Sequence, residues 1–232
     1  MAKTKFYQHY CPVARSLEVI GEKWSLVIVR DLLLRGSQRF TDLLRYEGGI
    51  TPKWLTLRLR DLEAAGIVER DSEAGRREVW YRLTPRGRDL APVVEALMIW
   101  GIEHALPPPL PGESIDPAQP TYALAIVLNG RHVTLPHSAI YLVRFDADRS
   151  YTMCFDGERW SVQGGESEAD VRVETTPLEW VSYLLAPPEE RHERAKQMRI
   201  EGTPAAVDEF VGIVGWRQTA APAAEAVGKA FA

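Results

Sequence analysis

The sequence predicts a mostly α-helical domain that carries one β-hairpin, followed by an α+β domain in which a sheet and its helices are segregated. Two patterns in the 232 residues support this order. In the first half, apolar residues recur every three to four positions between glycine breaks, which is typical of short helices. In the second half, runs with alternating apolar residues precede further helical segments, which favours a sheet with helices gathered after it.

A proline cluster separates the two halves. Residues 107–111 contain four prolines, and such a stretch cannot continue a helix. We therefore predict a first domain at 1–105, a Pro-rich linker at 106–120, a second domain at 121–218 and a flexible tail at 219–232. Residues 1–105 carry 17 Lys and Arg against 14 Asp and Glu, whereas 106–232 carry 11 against 18. The net charges of +3 and −7 suggest that only the first domain meets a polyanion.

Composition and motifs exclude several classes of protein. Cys11 and Cys154 are the two cysteines, too few for a disulfide framework, and a reducing cytoplasmic location is the expectation. The longest apolar run, Ala123 to Leu128, is far shorter than the ~20 residues of a membrane helix, and no secretory signal is visible. We find no metal-ligand cluster, glycine-rich phosphate loop or nucleophile elbow. The sequence therefore predicts no enzyme, no cofactor, no metal and no membrane partner.

The first domain has the element order of a DNA-binding fold. The predicted elements are helices at 11–20, 23–34, 39–45 and 51–66, strands at 67–70 and 79–83, and a long helix from Thr84-Pro85 to about Glu103. A helix-turn-helix followed by a basic hairpin is the winged-helix plan. In that plan one helix enters the major groove of DNA and the hairpin reaches the flanking backbone.

The helix that Thr51 and Pro52 begin is the most informative. Its leucines Leu55, Leu59 and Leu62 are expected on the core side. Lys53, Leu57 and Arg60 are expected on the opposite side, with Trp54 and Thr56 on the flanks and Arg58 nearer the core edge. Because the helix dipole disfavours a cation in the first turn, Lys53 suggests a phosphate nearby.

The first domain contains five motifs in a fixed order: Cys11-Pro12-Val13-Ala14-Arg15, Ile20-Gly21-Glu22-Lys23-Trp24, Arg39-Phe40-Thr41-Asp42-Leu43, Gly49-Ile50-Thr51-Pro52 and Val79-Trp80-Tyr81-Arg82-Leu83-Thr84-Pro85. In this order they resemble the HxlR-type family of winged-helix transcription regulators, which is MarR-like. The resemblance implies a homodimer that binds double-stranded DNA at a pseudo-palindromic operator. The residues expected to contact DNA are Arg39, Lys53, Trp54, Thr56, Leu57, Arg58, Arg60, Arg76 and Arg77.

The resemblance also suggests roles for two groups of apolar residues. Trp54 and Leu57 stand where polar base-reading side chains are expected, so the operator is expected to be read partly through thymine methyl groups. The long helix after Thr84 carries an apolar stripe, which the family uses with the N-terminal helix for dimerisation. The stripe consists of Leu90, Val93, Val94, Leu97 and Trp100.

The second domain is predicted from short strands and later helices. A strand at 121–128 is expected to turn back at Asn129-Gly130 into 132–135, because Asn-Gly is a strong hairpin signal. The other predicted elements are strands at 139–145, 150–156, 160–162 and 170–175 and helices at 176–185, 189–198 and 204–216.

This half resembles the sterol-carrier-protein type 2-like fold. The similarity lies in the strand Ala169 to Thr175, the helix after Pro177, and Arg199-Ile200-Glu201-Gly202-Thr203-Pro204 before a last apolar helix. The resemblance implies an apolar tunnel for fatty-acyl or sterol-like ligands. Candidate pocket residues are Tyr151, Met153, Phe155, Trp180 and Phe210.

Three functional hypotheses follow from these observations. In the first, which we favour, the protein is a dimeric transcriptional regulator, acting as a repressor, and an apolar small molecule in the second domain controls its DNA affinity. In the second, the regulator senses oxidants or electrophiles through Cys11, a thiol at a helix N-terminus where the dipole favours a thiolate. In the third, the protein is a lipid carrier with a vestigial winged helix.

Overall fold

The computed structural model describes residues 7, 10–46, 49–71, 78–110 and 115–216. It divides into two compact units, Met1–Val94 and Glu95–Ala232. This division falls inside a helix, before the predicted end of the first domain at residue 105. Residues 111–114 of the predicted linker and the predicted tail at 219–232 lie outside the described residues.

The N-terminal unit has the predicted series of helices and a small sheet. Its elements are α1 (Pro12–Ile20), α2 (Ser25–Arg35), β1 (Gln38–Arg39), α3 (Phe40–Tyr46), α4 (Pro52–Ala64), β2 (Val68–Asp71), β3 (Trp80–Leu83) and α5 (Pro85–Arg88). The two-residue strand β1 was not predicted. The core consists of buried aliphatic side chains from these elements, among them Ile28, Leu32, Leu43, Leu55, Leu59, Leu62 and Leu83. The predicted helix-turn-helix with a hairpin is confirmed.

The hairpin strands β2 and β3 pair antiparallel, and β3 lies between β1 and β2. The turn of α5 that follows β3 packs closely against the start of the hairpin. A Cβ placed on Gly87 would lie 2.1 Å from the carbonyl oxygen of Ile67, so only glycine fits there. Thr84 strengthens the same contact, since its hydroxyl donates to the Gly66 carbonyl at 2.6 Å.

The long helix predicted from Thr84 to Glu103 is broken, and that prediction is wrong. The short helix α5 ends at Arg88, and α6 (Ala91–His104) begins after a turn. Pro92 explains the break, because it has no N–H to donate to the Arg88 carbonyl and its ring would clash with that group. The boundary between the two units lies within α6.

The C-terminal unit contains a five-stranded mixed sheet with helices. Its elements after α6 are α7 (Ala118–Gly130), β4 (Ala139–Arg144), β5 (Ser150–Phe155), β6 (Trp160–Gly164), β7 (Val171–Glu174), α8 (Pro177–Leu185), a 3₁₀ turn (Pro188–Glu190), α9 (Arg191–Ala195), β8 (Arg199–Gly202) and α10 (Pro204–Ile213). The strand order is β6-β5-β4-β7-β8. Only β4 and β7 pair in parallel, and the other neighbours are antiparallel.

The predicted hairpin at 121–135 is wrong, because residues 118–130 form the helix α7. The run is apolar on every side and is buried almost throughout, so its periodicity cannot separate a buried strand from a buried helix. Asn129 does not turn a hairpin. Its side-chain Nδ2 donates to the Trp160 carbonyl at 2.8 Å, and its Oδ1 accepts from the Trp160 N–H at 2.7 Å.

The other predicted elements of this half are close to those observed, with two differences. The helix predicted at 189–198 is a 3₁₀ turn and the short helix α9, and β8 was not predicted. Strand β8 is a four-residue edge strand of largely exposed residues, which carries no alternating apolar signal. Within the described residues, we find no helix that is long and apolar enough to cross a membrane.

Candidate nucleic-acid interface

Helix α4 presents one buried and one exposed side, as its sequence predicts. Thr51 caps the helix by accepting a hydrogen bond from the Trp54 backbone N–H at 3.4 Å, and Pro52 occupies the first position. Leu55, Leu59 and Leu62 are buried on the core side. Burial of this leucine row fixes the direction in which the remaining side chains point.

The exposed side of α4 combines cations with large apolar groups. Lys53 and Arg60 are exposed and form no ion pair with any described residue. Trp54 is 51% exposed and Leu57 is 41% exposed, although both are large and apolar. Since monomeric surfaces rarely leave such groups unused, this side of α4 is suited to contact another macromolecule.

Two predicted contact residues on α4 have partners inside the protein instead. Arg58 is only 8% exposed. Its Nη2 lies 3.0 Å from Asp61 and its Nη1 lies 3.6 Å from Glu22, so it ties α4 to the segment before α2. The hydroxyl of Thr56 donates to the Pro52 carbonyl at 2.8 Å. Arg58 therefore holds α4 in place, whereas the Thr56 hydroxyl is satisfied within its own helix.

Arg39 is also held by intramolecular contacts. Its Nε lies 2.9 Å from Asp42 and its Nη1 lies 3.0 Å from Glu78, while the guanidinium stacks 5.5 Å from the centre of the Trp80 ring. The hydrogen bonds to Asp42 and Glu78 raise the pKa of Arg39, and the same contact lowers the pKa of Asp42. Arg39 therefore links α3 to the hairpin.

The hairpin tip predicted to contact DNA cannot be placed. Arg76 and Arg77 lie outside the described residues. On the described strands, Arg82 pairs across the hairpin with Glu69 at 3.0 Å. Arg70 on β2 and Arg86 on α5 are exposed and form no ion pair with a described residue, so both are cations that the sequence argument missed. Their only signal in the sequence was their position next to the hairpin.

Two helices expose apolar side chains at helical spacing. On α6, Val93, Leu97 and Trp100 are exposed, whereas Val94 is buried. In the N-terminal unit, Tyr10 precedes α1 and is almost fully exposed, and Val13 and Leu17 follow it at the same face. Residues spaced by three and four positions share one face of a helix, so each helix carries an unpartnered apolar face.

The candidate sensor thiol lies at the start of α1. Cys11 is a free, half-buried thiol at the N-cap position, where its side chain makes no capping hydrogen bond. Cys154 is also free, and burial raises the pKa of its thiol. The two cysteines therefore differ in chemical setting.

Four of the five candidate pocket residues are buried in the core of the C-terminal unit. Met153, Phe155, Trp180 and Phe210 are each at most 1% exposed, whereas Tyr151 is half-buried. Trp180 stacks on Tyr183 at 5.8 Å between ring centres, and Tyr183 stacks on Phe210 at 6.0 Å. These rings fill the space between α8 and α10 with one another.

Metal ligands do not gather in the part of the chain that the structure describes. No three His, Cys, Asp or Glu side chains lie together there in a way that could hold an ion.

Comparison with known proteins gives a family for the N-terminal part. The model of the HxlR-like helix-turn-helix family matches residues 19–107. A transcriptional regulator of Synechocystis sp. is 42% identical over 91 residues, which cover 38% of this chain and 66% of that protein, just under two thirds of its length. The HTH-type transcriptional regulator YybR of Bacillus subtilis is 41% identical over 92 residues, which cover 39% of this chain and 73% of YybR.

A solved structure is also similar to part of the chain. The redox regulator HypR in its oxidized form is 39% identical, with a TM-score of 0.39, and the match covers 42% of this chain and all of that chain. The helix-turn-helix, the paired hairpin and the relatives agree on one assignment: the chain belongs to the family of HxlR-like helix-turn-helix proteins.

Proposed function

We propose that the protein is a transcriptional regulator that binds double-stranded DNA through α4 and the hairpin of its N-terminal unit. The observation that carries this proposal is the exposed side of α4, where cations without an ion pair to any described residue and large apolar side chains lie opposite a buried leucine row. An α-helix fits the major groove of B-DNA, where both phosphates and base edges can be reached. Family membership supports the same function.

The exposed residues of α4 fall into two groups, cationic and apolar. Lys53 and Arg60 are suited to phosphate oxygens or to guanine, which arginine binds through two parallel N–H groups. Trp54 and Leu57 offer apolar surface, which in the major groove matches the methyl group of thymine. We therefore propose an operator with thymine at the positions facing Trp54 and Leu57.

The other residues predicted to contact DNA differ in whether they contact other residues of the protein. Arg39 and Arg58 act inside the protein by holding α3, α4 and the hairpin in position, and the Thr56 hydroxyl bonds within α4. Arg76 and Arg77 stay predictions for contacts to the flanking phosphates. Arg70 and Arg86 join them, because each is exposed and lies beside the hairpin.

Two arginines on α4 provide a matched test. Arg60→Ala is expected to leave the free energy of unfolding nearly unchanged and to reduce the salt dependence of DNA binding by about one phosphate contact. Arg58→Ala is expected to lower the free energy of unfolding by about 1 to 3 kcal/mol, because it removes a buried side chain and its ion pairs to Asp61 and Glu22. Fluorescence anisotropy with a labelled duplex, between about 50 and 200 mM salt, measures the first effect, and chemical denaturation measures the second.

A large loss of stability in Arg60→Ala, or an altered salt dependence of DNA binding in a stable Arg58→Ala protein, would contradict this assignment. Wild-type protein that does not bind the duplex at low salt would contradict the proposed function itself and favour a lipid carrier with a vestigial winged helix. A steep fall of affinity with salt, lost in part in Arg60→Ala, supports the regulator.

We further propose that the regulator is a homodimer. The exposed apolar faces of α1 and α6 support this, since faces of this kind are normally covered by a partner. A two-fold dimer places its two α4 helices on half-sites about one helical turn apart, or a multiple of that distance. The operator is therefore expected to be pseudo-palindromic.

The apolar effector stays a prediction. A five-stranded sheet with helices supports the resemblance to the sterol-carrier-protein type 2-like fold only in outline. Because Trp180 and Phe210 are packed against other rings, an apolar ligand at their place would have to displace the core. Any effector of the C-terminal unit is therefore better sought elsewhere in that unit.

Thiol sensing through Cys11 is a second candidate for regulation. The free, partly accessible thiol at the N-cap of α1 favours it, because its side chain makes no capping hydrogen bond and can be reached by an oxidant. Cys11→Ser is expected to abolish the loss of DNA binding on oxidation by diamide, whereas Cys154→Ser is the matched control and is expected to retain it. DNA binding that responds equally in both variants would exclude Cys11 as the sensor.

A further inference from the structure

The turn between α1 and α2 holds a tryptophan in a backbone conformation that large side chains rarely adopt. Trp24 has a φ of 80°, in the left-handed region, and it occupies the N-cap position of α2. For a bulky residue this conformation is strained, whereas glycine would adopt it freely. Such strain persists only where the surrounding structure holds the residue in place. The contacts of the Trp24 ring therefore indicate what the strained conformation serves.

The ring of Trp24 reaches the turn immediately before α4. A Cβ placed on Gly49 would lie 3.9 Å from Cη2 of Trp24, which is van der Waals contact, so the tip of the indole lies beside that turn. Gly49 itself has a φ of 101°, and Thr51, the N-cap of α4, follows two residues later. The Lys23 ammonium lies 5.2 Å from the centre of the indole and favours this position of the ring. The indole thus supports the segment from which α4 begins.

The same turn holds α4 at a second point. The carboxylate of Glu22 lies 3.6 Å from Nη1 of Arg58, in the middle of α4. At 1.5 Å per residue, Arg58 lies about 9 Å along the helix axis from Pro52, where α4 begins. Two supports this far apart resist tilting of a helix as well as sliding. Trp24 and Glu22 together therefore fix the orientation of α4 against the rest of the N-terminal unit.

We propose that Trp24 is a positioning residue for base readout by α4 and that it acts together with Glu22. This inference rests on the proposed function of α4 in DNA binding. Contacts to base edges require a helix in one orientation, since small displacements break them. A lysine such as Lys53 reaches phosphate oxygens through a long flexible stem, so its contact tolerates displacement. Loss of the support from Trp24 therefore weakens binding to a preferred sequence more than binding to any duplex.

The test compares two affinities of the full chain. Wild-type protein selects a preferred duplex from a random pool, and a scrambled duplex of the same length and composition is the reference. Fluorescence anisotropy measures both affinities at one salt concentration. Trp24→Gly removes the ring and adopts the left-handed conformation freely. It is expected to bind the selected duplex at least about fivefold more weakly, while its affinity for the scrambled duplex changes by less than about twofold.

Lys23→Gln is the matched control, because it changes the neighbouring residue of the same turn and leaves the indole in place. It is expected to keep the ratio of the two affinities. A Trp24→Gly protein that loses both affinities equally, as a merely destabilised protein does, or that keeps both, would overturn the proposal. Wild-type protein that binds every duplex equally would also overturn it. Wild-type protein that binds no duplex contradicts the proposed function itself, so the two failures are distinguishable.

A folding failure of Trp24→Gly, seen by circular dichroism, leaves the decision to Glu22→Gln. Glu22 is exposed, so this change is expected to affect stability little, while it weakens the contact with Arg58. A lower ratio of the two affinities in Glu22→Gln supports the positioning role of the turn, and an unchanged ratio overturns it.

Discussion

A Leu97→Asp variant is expected to be a monomer and to lose most of its affinity for the operator. Leu97 is 50% exposed at the centre of the α6 face, between Val93 and Trp100. In the proposed dimer this face is covered, so the aspartate would place an unpaired charge in an apolar interface. A monomer binds one half-site at a time, and the loss of the second half-site is expected to weaken binding about 100-fold or more.

Light scattering coupled to size-exclusion chromatography measures the mass, and anisotropy with a two-half-site duplex measures the affinity. Leu178→Asp is the matched control, because Leu178 is similarly exposed, at 55%, on α8. It is expected to keep both the dimer mass and the affinity. A Leu97→Asp protein that keeps the dimer mass would show that α6 does not form the interface.

A Trp180→Ala variant is expected to lower the free energy of unfolding of the C-terminal unit by about 3 to 5 kcal/mol. Trp180 is fully buried, and its indole Nε1 donates to the Thr121 hydroxyl at 3.0 Å, which connects α8 to α7. Truncation removes the stacking on Tyr183 and Phe210, leaves a large cavity, and removes the indole N–H from which the Thr121 hydroxyl accepts.

Chemical denaturation followed by circular dichroism measures this loss. Leu178→Ala, at an exposed position of the same helix, is expected to change stability by less than about 0.5 kcal/mol. Trp180→Phe keeps most of the ring volume and provides a folded variant if Trp180→Ala does not fold. A loss below about 1 kcal/mol in Trp180→Ala would contradict core packing and would favour the open apolar tunnel that the resemblance to the sterol-carrier-protein type 2-like fold implies.

Local signals made the N-terminal unit predictable. Thr51-Pro52 marks the start of α4, and its leucine row at helical spacing marks the buried side, so the exposed residues followed from geometry. The fate of Arg58 could not be predicted in the same way. Its partner Glu22 lies far along the chain, and only the packing of α4 beside the segment before α2 brings them together.

In the C-terminal unit, local sequence signals predicted less of the structure. Residues 121–128 carry no usable periodicity because they are buried on all sides, and a turn signal at Asn129-Gly130 then favoured the wrong element. Arg191 had no distinguishing signal either. It follows two glutamates in a run that resembles a solvated helix start, and its burial depends on α8 and α10 packing around it.

The sequence by itself determined the order of the winged-helix elements and the buried and exposed sides of α4, because caps, glycine breaks and helical periodicity are local properties of a few neighbouring residues. The family followed from the resemblance of its ordered motifs, which the comparison with relatives confirms. The tertiary structure alone decided which of the described cations pair with carboxylates, which aromatic side chains fill the core, and that Arg191 is buried. Those outcomes depend on contacts between residues distant in the chain, and burial and charge pairing follow from such contacts.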